Sequence, residues 1–138
     1  MREFRLDTVG PVGDCAVLRV SGEVDVYTAP MLREQIRELA AKGAVHLIAD
    51  LGQVDFLDST GLGALVGGLK RLRRDGGSLA LAIGTPRILR IFQITGLTKA
   101  LAARRSVTDA ITADPHWQQT LESQAGSVHE WCRQHGLS

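Results

Sequence analysis

The sequence predicts an α/β fold, a sheet with helices on its faces, from three features. Apolar runs of strand length alternate with longer segments whose apolar residues recur at helical spacing. Capping and breaking residues stand at the segment ends and give the order β-β-α-β-α-β-α-(β)-α. With 138 residues, 44% hydrophobic and 22% charged, the chain is long enough to bury a single domain core.

The first strand is EFRLDTV, where Phe4, Leu6 and Thr8 alternate against Glu3, Arg5 and Asp7. Gly10, Pro11, Gly13 and Asp14 supply turn chemistry, and CAVLRVSG follows as the second strand of a hairpin. Helix signals come next. Thr28 is the expected N-cap, Pro30 stands near the first helical position, and Leu32, Ile36, Leu39 and Ala40 form the stripe that Gly43 ends.

AVHLIADLG reads as a buried central strand, because it is a short apolar run with β-branched content. A second helix carries Leu62, Leu65, Val66, Leu69 and Leu72 and stops at Asp75–Gly77. SLALAIG is another buried strand. In TPRILRIFQITG, Thr85 caps, Pro86 starts and Gly96 stops a third helix. The stretch that follows holds a short strand or turn, then a helix from about Ser106.

Composition shifts at Asp114, where the chain turns Gln/His-rich and holds both tryptophans. The expected division is a domain over 1–113 and a helical extension over 114–138. Pro115 opens that helix, Trp117, Leu121, Val128 and Cys132 line one side, and Gly126 interrupts it. The tryptophans predict an ordered contact: docking on the sheet, a homodimer, or another partner.

Charge and cysteine content narrow the function classes. A net charge of +1 predicts neither direct nucleic-acid binding nor recruitment to anionic lipid. The run Lys70–Arg74 complements the dipole at a helix end. Cys15 and Cys132 lack CxxC spacing, which argues for a reducing compartment. The charged opening MREFRLDTVG has no signal-peptide core, and no apolar run approaches the roughly 20 residues of a membrane helix. A cytoplasmic location without membrane insertion is expected.

The most informative stretch is DFLDSTGLGAL, Asp55 to Leu65. It is a poor match to catalytic loops. A nucleophile elbow wants glycine two residues before the serine, and Leu57 is there. Gly61-Leu62-Gly63 begins a dinucleotide fingerprint, but Val66 holds the third glycine position. Gly63 to Gly68 has phosphate-loop spacing, yet Leu69 follows where lysine is required. His129, Cys132 and His135 are spaced so that the outer pair points to different helix faces, and His46 and His116 lack an informative local context. The expectation is no enzyme, no catalytic residue, no metal and no cofactor.

Asp58 or Ser59 can cap the helix, but capping alone does not ask for Gly61 and Gly63 in its first turn. Glycines there strip the helix start of side chains and leave amides open to an approaching group. That reading makes the motif a contact surface.

DFLDSTGLGAL, together with GEVDVYTAP (Gly22 to Pro30), resembles the STAS domain, above all its bacterial anti-sigma factor antagonist branch. The likeness covers about residues 3 to 113. It implies a STAS-like mixed β-sheet core with four or so packed helices, plus the C-terminal helical appendage. It also implies phosphorylation of the hydroxyl at the start of the second helix by a partner that is both anti-sigma factor and serine kinase. Carried over, the phosphorylation site is Ser59, with Asp58 before it and Thr60 as the neighbouring hydroxyl. Asp25 corresponds to the family's acid near the same surface. The partner-binding set is then Asp25, Tyr27, Asp58, Ser59, Thr60, Gly61 and Gly63, with ATP on the kinase and no cofactor on this chain. A STAS adaptor that is never phosphorylated, in stress signalling or lipid transport, is the alternative. Met31 can also flank the motif, and Ile88, Ile91, Phe92 and Ile94 cannot all face one core, so one of them is available as an outer anchor.

Overall fold

The structure, a computed structural model, describes residues 3–138. Five strands form one sheet in the order β1-β2-β3-β4-β5. β1 (Arg5–Val12) runs antiparallel to β2 (Cys15–Val24). β3 (His46–Leu57), β4 (Ser78–Ala82) and β5 (Ala102–Arg104) then add in parallel. The sheet is therefore mixed, with helices α1 (Ala29–Ala41), α2 (Ser59–Arg74) and α3 (Pro86–Ile94) as crossovers.

Strand parity divides the apolar residues between two cores. Leu18 and Val20 of β2, Leu47, Ala49 and Leu51 of β3, and Leu79 and Leu81 of β4 pack with α1, α2 and α3. Cys15, Val17, Ile48 and Ala82, of opposite parity, pack with α4 (Val107–Thr112), α5 (Pro115–Gln124) and α6 (Val128–Gln134). Burial on both faces explains why the central strands read as continuous apolar runs rather than alternating ones.

Some local details differ from the sequence reading. Gly10 and Pro11 do not turn the chain: β1 continues through them with a register irregularity between Val9 and Val12, and the turn contracts to Gly13 and Asp14. β3 extends past Gly52 to Leu57, far enough to deliver the DFLDST motif at the strand's carboxyl end. Both short-element readings after Gly96 are realised, as a 3-10 turn at Leu97–Lys99 and as β5. The tail is two helices, because Gly126 adopts φ +92° between α5 and α6, a left-handed conformation that ends the first of them. Asp114 and Ser127 cap the two by accepting first-turn amides.

Candidate functional site

The site is built where β2 and β3 end side by side. Val24 pairs with Leu57, and the Asp58 amide donates to the Val24 carbonyl at 3.2 Å. The chain after β2 and the chain after β3 are thereby tied together at one edge of the fold.

After β2, Asp25 organises a tight turn. Its Oδ1 accepts from the amides of Tyr27 and Thr28 at 2.9 and 3.1 Å. The Thr28 hydroxyl donates to the Glu23 carbonyl at 2.8 Å and accepts from the Asp25 amide at 2.9 Å. Thr28 does stand at the N-cap position of α1, but it makes no side-chain capping bond, since its hydroxyl is turned back into this knot. Thr85 likewise precedes α3 without a side-chain cap. The Asp25 turn throws Tyr27 outward, where it is 84% exposed.

After β3, Asp58 caps α2. Its Oδ1 accepts from Thr60 N at 2.9 Å and Gly61 N at 3.0 Å, and its carbonyl accepts from Leu62 N at 3.0 Å. Ser59 begins the helix on the exposed side, and Thr60 is half-buried behind it. Among the described residues no histidine is hydrogen-bonded to Ser59: His46 meets Ser78, His116 meets Asp14, and His135 meets the Trp131 carbonyl. The Ser59 side chain thus stands at an exposed helix start, beside a carboxylate that is engaged as the α2 cap.

The expectation of bare amides is corrected at Gly61. Its N–H is taken by Asp58, and the residue is buried. It is glycine because a Cβ would meet Leu57 Cδ1 at 2.6 Å and the Val24 carbonyl oxygen at 2.8 Å. Gly63 is exposed, and the nearest atom to its missing Cβ is Arg33 Nη2 at 3.9 Å. Gly61 therefore lets α2 close on β2, while Gly63 leaves open surface beside an α1 guanidinium.

The same end of the sheet carries four exposed apolar side chains: Val26, Tyr27, Met31 and Phe56. Val26, Phe56 and Arg33 were absent from the sequence-based site. Phe56 shares the parity of buried Val54, so alternation alone would bury it; the register irregularity opposite Gly22 and Glu23 turns it outward instead. On α3, Ile88 and Phe92 are buried, Ile91 is half-buried and Ile94 is 77% exposed, so the outer residue of that set is Ile94. The spaced trio in the tail does not converge: Cys132 is buried in the second core while His129 is exposed.

Comparison with known proteins agrees with this architecture. The STAS domain family model matches residues 7–110. The anti-sigma-B factor antagonist of Bacillus subtilis (strain 168) is 48% identical over 80 residues, 58% of this chain and 72% of that protein. An anti-sigma factor antagonist from Mycobacterium paratuberculosis has a similar solved structure, with TM-score 0.73 and 32% identity over 80% of this chain and 93% of that one. The phosphorylated form of the Bacillus cell fate determinant SpoIIAA gives TM-score 0.61 and 26% identity, covering 80% and 98%. No helix among the described residues is long and apolar enough to cross a membrane. Sheet order, the capped α2 start and these matches lead to one assignment: the chain belongs to the STAS domain family, in its anti-sigma factor antagonist branch.

Proposed function

We propose that the Ser59 face docks on an anti-sigma factor that is also a serine kinase, freeing a sigma factor, and that phosphorylation of Ser59 reverses the docking. The observation that carries this reading is the exposed Ser59 hydroxyl at the capped start of α2, on the sheet end that also presents Tyr27 and Phe56. Exposed aromatic and aliphatic residues supply contact area, and the hydroxyl in their midst supplies a point of control. The solved phosphorylated form of SpoIIAA supports the chemistry by analogy.

The switch works through charge. A phosphate adds about −1.5 to −2 charges at neutral pH. The α2 N-terminus favours it by about 0.3–1 kcal/mol, while the Asp58 carboxylate next to it opposes it. With these local effects opposed, the fold persists and the new charge acts across the interface. There an unmatched, desolvated charge costs several kcal/mol, enough to separate the partners.

Incubation with a cognate anti-sigma kinase and ATP, followed by residue mapping, tests the reading. A label on Ser59 that disrupts the complex is the expected result. A chain that binds its partner but takes no label on Ser59 or Thr60 favours the adaptor alternative instead.

A further inference from the structure

At the other end of the sheet from Ser59, a second set of chemistry-bearing side chains converges. Asp14 closes the β1–β2 turn, Cys15 opens β2, and His116 stands in the first turn of α5. One ligand atom from each, a carboxylate oxygen, Sγ and a ring nitrogen, lie within 4.8 Å of one another. His116 Nε2 is 2.7 Å from Asp14 Oδ1, and Cys15 Sγ is 3.5 Å from that same oxygen. His46, paired with Cys15 across β2 and β3, lies against His116 in a tilted ring contact with centroids 4.1 Å apart. Its Nε2 is 3.8 Å from Asp14 Oδ2, and its Nδ1 is 2.9 Å from Ser78 Oγ.

A simple ion pair explains His116 and Asp14 but leaves the rest unaccounted for. It does not account for a thiol brought to the same carboxylate, so that oxygen, sulfur and nitrogen donors meet at one point. One borderline-soft cation accounts for the three donors that converge. Thiolate, imidazole and carboxylate together are a zinc-type donor set, with bonds of about 2.0–2.3 Å that put neighbouring donors about 3.5 Å apart. Calcium and magnesium prefer all-oxygen shells. Ser78 holds the His46 ring through Nδ1 at 2.9 Å, and that ring lies against His116. His116 is exposed, so an ion can enter from solvent.

We propose that Asp14, Cys15 and His116 bind one zinc-class divalent ion, with the His46 ring packed against His116 as support. Binding forms the sulfur–metal bond and releases the Cys15 thiol proton to solvent. The ion clamps α5 to the β1–β2 turn, and α5 lies beyond the residues matched by the STAS model. The ion therefore controls how firmly the added segment is held.

The test is titration of the reduced, chelator-treated full chain with Co²⁺ and then Zn²⁺. The expected result is a thiolate-to-cobalt charge-transfer band that saturates at one ion per chain and is displaced by Zn²⁺. Cys15→Ser removes the band while Cys132→Ser keeps it. His116→Ala, at an exposed position, weakens binding by at least about tenfold and abolishes the rise in Tm that Zn²⁺ gives the unaltered chain. Absence of the band, or a band that survives Cys15→Ser, overturns the proposal. If Cys15→Ser does not fold, His116→Ala decides alone: unchanged Co²⁺ affinity overturns it.

Discussion

The carbonyl oxygen of Val24 lies 2.8 Å from the point where a Cβ on Gly61 would stand. That oxygen also accepts the Asp58 amide, so it cannot retreat without loosening the two loops that form the site. Gly61→Ala is therefore expected to destabilise the chain by about 1–3 kcal/mol through overpacking, outweighing the roughly 1 kcal/mol that alanine gains in a helix. Gly67, also in α2, meets nothing within 4 Å. Gly67→Ala should stabilise by about 0.5–1 kcal/mol. Denaturant unfolding of the pair checks both signs.

Ser59 and Asp58 are neighbours with different duties. Ser59→Asp should leave stability within about 0.5 kcal/mol, as for other exposed positions, yet weaken partner binding by at least about tenfold, or 1.4 kcal/mol. Ser59→Ala should keep binding and resist switching by kinase and ATP. Asp58→Ala removes the acceptor for Thr60 N and Gly61 N and should lose about 1 kcal/mol of stability. Equal partner affinity for the two Ser59 variants under all conditions would contradict the electrostatic switch.

Most of the architecture was legible because local signals agreed with one another. The stripe of Leu32, Ile36 and Leu39, the stop at Gly43 and the apolar β3 and β4 runs each read correctly from periodicity. The Ser59 turn stood out because two glycines at a helix start are costly unless something needs them. What failed was the reason for Gly61, since a clash with Val24 depends on how α2 closes on β2, a contact between segments far apart in sequence. Gly10 and Pro11 misread for a similar cause: with Gly10 at φ +99°, they form an irregularity inside β1, which stays paired with β2 on either side of them. The cluster of Asp14, Cys15, His46 and His116 joins groups up to 102 residues apart, which no spacing rule reports.

Cys132 offers a prediction on pH. Burial in the second core pushes its thiol up from the ordinary value of 9.0, with a smaller opposing effect from a Thr108 hydrogen bond. In the unfolded chain the thiol loses its proton near that value, while the folded chain still holds it. The raised folded value means that this contribution is complete below pH 9.0 and is lost as pH rises above it. Stability should therefore decline more steeply on the alkaline side in the unaltered chain than in Cys132→Ala, measured by denaturant midpoints across pH. In the native chain at neutral pH, Cys132 should resist alkylation until the tail opens.

The tail and the sheet should unfold as one unit. Trp117 is 1% exposed and Leu121 is fully buried, packed with Cys15, Val17, Ile48 and Ala82 from three strands. Trp117 also stacks near Trp131, with ring centroids 6.4 Å apart, which links α5 to α6. Trp117→Ala should cost about 3–5 kcal/mol, the range for deleting a buried aromatic. Removing 114–138 uncovers an apolar sheet face, so the shortened chain should unfold at lower denaturant or self-associate. A single transition reported alike by tryptophan fluorescence and far-UV circular dichroism is the expected signature of shared cooperativity. If the fluorescence change came first and left the sheet signal intact, the tail would be a separately folding segment and the second core would contribute little to the domain.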